Sequence, residues 1–181
     1  MGYKISLKKG NLLEAESDFI VNPSNTKLIL GSGVSMVFKR HCGRELQEEM
    51  YKKLHEIDKP LQQGDVVATS SAKATNFKYA LHVAVMNYNK NIRNTQKLPT
   101  LQVIEDALQN IEKYLIWYTQ TTKSSIKLAL PLMGCGIGGL NKKAVIQIYQ
   151  KFFSKEIMLK CKVIIYGYQE EDYIQIKKYL K

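Results

Sequence analysis

The chain has 181 residues, 45% of them hydrophobic and 24% charged, with a formal net charge of +11. That length allows one domain with a sizeable core, and the composition excludes a disordered or low-complexity chain. The longest apolar runs fall far short of a membrane span. The charge is compatible with nucleic acid, anionic polymers or phosphorylated small molecules as partners.

In chain order, Tyr3, Ile5 and Leu7 alternate with lysines and Ser6, which predicts a half-exposed strand. No apolar signal core follows this basic start, so a cytoplasmic chain is expected. Gly2 and Ser6 give only an incomplete myristoylation pattern in a segment read as a strand. "DFIVN" predicts a buried strand, and a loop of small and polar residues runs from Pro23 to Gly33. Val34, Val37, Phe38 and Cys42 recur at helical spacing, as do Leu46, Met50 and Leu54.

"GDVVATS" and "YALHVAVM" predict two strands. Thr100 to Thr119 predicts a long helix with Leu101, Ile104, Leu108, Ile111, Leu115 and Tyr118 in one stripe. "IKLALPL" predicts a strand, and Asn141 a cap for a helix carrying Val145, Ile148, Tyr149 and Phe152. "KVIIYGY" and Asp172 to Leu180 close the chain as strand and helix. Strands alternating with helices define an α/β class, a three-layer α/β/α domain with a mixed, mostly parallel sheet. No linker or repeat divides residues 1–181, so a single domain is expected.

Cys42, Cys135 and Cys161 lack metal-ligand spacing, and their odd number argues against a disulfide framework. Cys42 and Cys161 read as small apolar fillers in a reducing compartment. His82 reads as a satisfied core histidine on a strand, and His41 and His55 as helix-surface residues.

Two glycine loops carry the chemistry. "GSGV", Gly31 to Val34, opens a helix, and "GCGIGG", Gly134 to Gly139, stands between a strand and a helix. Glycines let a backbone approach a ligand closely, successive N–H groups form anion nests, and helix N-termini add unpaired donors. Two such loops facing one another would grip a diphosphate. The dinucleotide fingerprint is excluded by order, because it should open the first βα unit.

"GNL" at Gly10 to Leu12, "IVNPSN" at Ile20 to Asn25, "GSGV" and "PLMGCGIGGL" at Pro131 to Leu140 together resemble the macro domain, and "LHVAVM" is similar to that family's middle strand. The resemblance implies a six- or seven-stranded sheet and a cleft for ADP-ribose, free or attached to a macromolecule or acyl group. It places Asn11 at the adenine amino group, where most of the family has Asp, and Leu12 and Asn22 beside the ligand. It places Asn25 at the distal ribose, where it would position the ribose or a water in any catalysis. Gly31, Ser32, Gly33 and Val34 would form the first phosphate loop. Pro131, Gly134, Cys135, Gly136, Ile137 and Gly138 would form the second. Tyr166, with Tyr168 as fallback, would pack on adenine.

Catalytic sets of the family are missing. Ser35 and Lys39 stand where one hydrolytic branch has Asp and His. Gly138 stands where another has Asp, and Met86 and Asn87 stand where its lysine belongs. The expected function is ADP-ribose binding, extended by weak hydrolysis of ADP-ribosyl compounds, O-acetyl-ADP-ribose or ADP-ribose-1″-phosphate. The alternative is a non-catalytic nucleic-acid or poly(ADP-ribose) module using a basic surface. No cofactor, no metal, no membrane and a monomeric state are expected.

Overall fold

The computed structural model describes residues 2–122 and 124–181. Its elements follow the expected alternation. Strand β1 (Gly2–Lys9) precedes a 3-10 turn (Leu12–Glu14) and β2 (Ser17–Asn25). Helices α1 (Gly33–Cys42) and α2 (Arg44–Ile57) come next, then the hairpin strands β3 (Val66–Ser70) and β4 (Phe77–Met86). Helix α3 (Leu101–Thr122), β5 (Ile126–Pro131), α4 (Lys142–Phe153), β6 (Lys160–Gly167) and α5 (Glu170–Tyr179) complete the chain.

The sheet order is β1-β6-β5-β2-β4-β3, parallel throughout except for β3, which pairs antiparallel with β4. Phe19, Ile20 and Val21 form an unbroken apolar run in central β2 because both of its faces are covered. On one face, Phe19, Leu81, Leu128 and Val163 pack with Ile104, Leu108 and Ile111 of α3 and Val145 and Tyr149 of α4. On the other, Ile20, Ala80 and Ala129 pack with Phe38, Cys42, Leu46 and Met50 of α1 and α2. This second layer stops short of the sheet's far edge, where Lys4, Ser6 and Lys8 of β1 and Lys160 and Lys162 of β6 are exposed.

Local chemistry sets the boundaries. Gly43 at φ 80° separates α1 from α2. Asn141 Oδ1 accepts the Ala144 N–H at 3.0 Å and caps α4 as expected. Glu170, Glu171 and Asp172 fill the first turn of α5, and Lys177 and Lys178 its last turn, complementing the helix dipole. That helix starts two residues before the expected position. The α3 stripe needs one correction. Leu101, the first residue of α3, is 40% exposed, and Val103 and Ala107 join the buried set instead.

The free edge of β3 is blocked by side chains. Tyr114 donates to Val66 O at 3.1 Å, while Glu49 accepts the Ser70 N–H at 2.8 Å. Among the described residues, no helix is long and apolar enough to cross a membrane, and no group of side chains has metal-ligand geometry.

Candidate functional site

The carboxyl ends of the parallel strands converge on a cleft with two chambers joined by a waist. The larger, about 530 Å3, lies over the ends of β1 and β6 and includes Asn11, Tyr166 and Tyr168. The smaller, about 210 Å3, lies over the ends of β2 and β4 and includes Asn25, Met86 and Tyr88. Gly33, Val34, Leu132 and Gly136 line both and so form the waist. This is the place where ligands bind in open α/β sheets.

The glycines divide by role. A Cβ on Gly138 would sit 2.6 Å from Gly134 O and 2.9 Å from Pro99 Cγ, and one on Gly134 would sit 2.7 Å from Leu140 Cδ1. These two serve the packing of the loop itself. At Gly33 and Gly136 a Cβ would meet nothing within 4 Å. At the waist, therefore, side chains are missing where the protein itself leaves room for them. Gly33 has φ 57°, and the Ser32 hydroxyl makes no capping bond to α1, so the first turn of that helix has no side-chain acceptor at its N–H groups.

Every candidate residue except Asn22 lines one chamber or both. Asn22 is 0% exposed and belongs beneath the cleft. It anchors a chain of hydrogen bonds that crosses the sheet. Ser35 Oγ donates to Asn22 Oδ1 at 3.0 Å, and Asn22 Nδ2 donates to His82 Nδ1 at 3.0 Å. His82 Nε2 then donates to Thr69 Oγ1 at 2.8 Å, and Thr69 donates to Ser70 O. The amide fixes the histidine tautomer, since only Nδ1 as acceptor completes the chain. Burial pulls the His82 pKa down to about 3, so the ring is neutral. The chain ties the first turn of α1, and with it the first glycine loop, to β2, β4 and β3. Ser35 thus faces inward, and Lys39 is exposed on α1.

Asn25 is 6% exposed and shapes the loop after β2. Its Oδ1 accepts from Lys27 N and Ile29 N at 3.1 and 3.2 Å, and its Nδ2 donates to Ile29 O at 3.0 Å. One N–H remains for a ligand. A register shift between Ser24 and Asn25 turns the strand end toward the smaller chamber. The Ser24 hydroxyl, on a residue lining that chamber, is buried and meets no partner among the described residues, an arrangement that costs about 1–3 kcal/mol until a polar group reaches it.

In the larger chamber, Asn11 Oδ1 accepts the Leu13 N–H at 3.0 Å, leaving its second lone pair and its amide N–H groups. Tyr166 is buried in the chamber floor, whereas Tyr168 is 71% exposed at its mouth. Cys135 is half-buried, its thiol pushed up to about 12 by burial, which removes nucleophilic character at neutral pH.

Sequence reasoning missed Lys142 and Asp172, which line the larger chamber and pair at 2.7 Å. The hydrogen bond to Asp172 raises the Lys142 pKa. A signal was present, since a lysine in the first turn of a helix opposes the dipole and calls for a tertiary partner. Ile29, Tyr88 and Ile137, all exposed, rim the smaller chamber.

The fold and cleft define an α/β domain built to receive a ligand between two glycine loops. A Macro domain model matches residues 21–149, and the chain belongs to the macro domain family. An uncharacterized protein of Aquifex aeolicus is 29% identical over 92% of both chains. One of Saccharolobus solfataricus is 33% identical over 76% of this chain and 70% of its own. Among solved structures, an Oceanobacillus iheyensis macrodomain mutant with ADPR superposes with a TM-score of 0.77 at 18% identity, covering 97% of this chain and 91% of that one. A Trypanosoma brucei macrodomain in complex with ADP-ribose gives 0.73 at 18% identity, covering 96% and 68%. At that identity these likenesses concern the fold.

Proposed function

We propose that the chain binds ADP-ribose, or the ADP-ribosyl end of a larger molecule, across this cleft. The observation that carries the reading is the waist, where two glycine loops face each other and Gly33 and Gly136 leave open the space that side chains would take. Backbone N–H groups and the N-terminus of α1 suit a diphosphate there. The larger chamber takes the adenosine, with Asn11 beside the base and Tyr168 closing over it. The smaller takes the distal ribose, which meets the remaining Asn25 N–H and the unpartnered Ser24 hydroxyl. The ADP-ribose-bound fold neighbours and the family support this reading.

Binding is the primary role in this proposal. The smaller chamber is lined by no carboxylate, histidine or lysine among the described residues. A conjugate at the distal ribose thus meets no general base of the chain. Hydrolysis would rest on a water held between Asn25 and the ligand's own diphosphate, a weaker arrangement.

Calorimetric titration with ADP-ribose, ADP and AMP tests the proposal. ADP-ribose is expected to bind tightest and AMP weakest. Equal affinity for ADP-ribose and ADP would refute the distal-ribose assignment. Tyr168→Ala is expected to weaken ADP-ribose about 5- to 20-fold, the value of one base-stacking contact. An unchanged affinity would return the adenine contact to Tyr166.

A further inference from the structure

The half of the sheet left without a covering layer carries an ordered set of lysines. Lys4 of β1 pairs in register with Lys162 of β6, and Lys162 pairs in register with Lys127 of β5. All three are exposed and project from the face opposite Tyr3, Ile5, Val163 and Leu128, which pack in the α3–α4 core. Adjacent strands lie about 4.8 Å apart, so the three ammonium stems start from one row about 10 Å long. Lys160, two residues before Lys162, and Lys8, four residues after Lys4, extend the set along the strand direction. A shallow concavity of about 360 Å3 opens beside Lys4, Lys160 and Lys162.

None of these five lysines makes an ion pair among the described residues. Two of the nearby carboxylates, Glu14 and Glu16, sit on the segment between β1 and β2 and pair with none of them. Asp18, beside Lys127, is held by Lys78 Nζ at 2.8 Å and by the Lys127 N–H at 2.8 Å. Like charges placed in register across strands oppose each other, and nothing in the packing of the domain repays that cost. Apart from Lys8, which stands in register with Tyr166 at the cleft end of β1, the set lies toward the amino ends of the parallel strands.

We propose that this open face is a docking surface for the phosphate backbone of nucleic acid, bound without regard to sequence. Charge complementarity is the reason. Five exposed lysines without ion pairs among the described residues, on an uncovered part of the sheet, match a linear polyanion, whereas a protein partner would need apolar anchors that this face lacks. Its only exposed groups between the lysines are those of Ser6 and the half-buried Ile164. No exposed aromatic stands among them to stack on a base, so the contact reads backbone alone.

The test is fluorescence anisotropy with a labelled mixed-sequence 20-base-pair DNA duplex over a range of salt concentrations. The unaltered protein is expected to bind, with a slope of log affinity against log salt of about −4.5, as about five phosphate contacts require. The variant Lys4→Glu/Lys127→Glu/Lys162→Glu is expected to lose at least about 100-fold in affinity and most of the slope, since three contacts become repulsions. A control of equal net charge, Lys52→Glu/Lys59→Glu/Lys113→Glu, places its changes on the far side of the fold and is expected to lose less than about a third as much of the logarithmic affinity. Saturating ADP-ribose is expected to leave duplex binding unchanged. Equal losses in the two triple variants, competition by ADP-ribose, or binding to anionic phosphatidylserine vesicles with none to the duplex would each overturn the proposal. All six lysines are exposed, and thermal melting of both variants checks that the fold is retained.

Discussion

Replacing Gly136 by glutamate is expected to abolish ADP-ribose binding, by about 100-fold or more, while leaving the protein as stable as before. The position is exposed, its φ lies outside the positive region, and a Cβ there meets no atom within 4 Å. Substitutions at such sites change stability by no more than about 0.5 kcal/mol. The added side chain enters the waist shared by both chambers and sets a carboxylate against the ligand's diphosphate, and like charges in such contact cost several kcal/mol. Gly138→Ala is the contrasting case. Its methyl would press on Gly134 O and Pro99 Cγ, so it is expected to destabilise by about 1–3 kcal/mol. Titration calorimetry and thermal melting of both variants separate the two roles. Wild-type affinity in the Gly136→Glu variant would mean that the waist is not where phosphates lie.

The second large effect is on stability in mild acid. His82 is neutral when folded, with its pKa pulled down to about 3, against about 6.5 for a free histidine. A base with a depressed folded pKa contributes its full stability above the unfolded value. That contribution is lost as pH falls from about 6.5 toward 3, at roughly 1.4 kcal/mol per unit, or about 2 kcal/mol between pH 7 and pH 5. His82→Gln is expected to lose about 2–4 kcal/mol at pH 7, by leaving Asn22 or Thr69 without a partner, and to show no such slope. Denaturant midpoints at pH 7, 6 and 5 give both quantities. Parallel pH profiles for the two proteins would show that the ring titrates elsewhere. Because the hydrogen-bond chain ends on Ser35 in the first turn of α1, the variant is also expected to weaken ADP-ribose about 3- to 10-fold without touching it.

Much of this was legible in the chain, for physical reasons. Alternation in β1, the apolar run of β2 and the 3.6-residue stripe of α3 are direct images of half-buried, buried and one-sided environments. The glycine loops were legible because a strand followed at once by missing side chains calls for an explanation. Two readings failed where tertiary geometry intervened. Leu101 continues the spacing of its helix, but periodicity carries no information about which end residues of a stripe are left uncovered. Asn22 lies within β2 and is fully buried in a hydrogen-bond chain, whereas Asn25 ends the strand and lines the cleft. Sequence alone does not reveal that Ser35 and His82, distant in the chain, take up the Asn22 amide. Nor does it reveal that Lys4, Lys127 and Lys162, far apart in the chain, share one row.

A hollow of about 790 Å3 runs along β3 between α2 and α3 and includes the exposed Trp117. Its size invites an incoming extended segment, yet the three outward-facing residues of β3 offer it little. The Val66 carbonyl is engaged by Tyr114, the Ser70 amide by Glu49 and the Ser70 carbonyl by the Thr69 hydroxyl, so half of the outward backbone groups already have a partner. A second copy laid edge to edge would find these groups taken where a continuing sheet offers a full ladder. The tyrosine and the glutamate therefore act as a stop on fibre growth. Removing both, rather than either alone, is the change expected to open this edge to pairing with another strand.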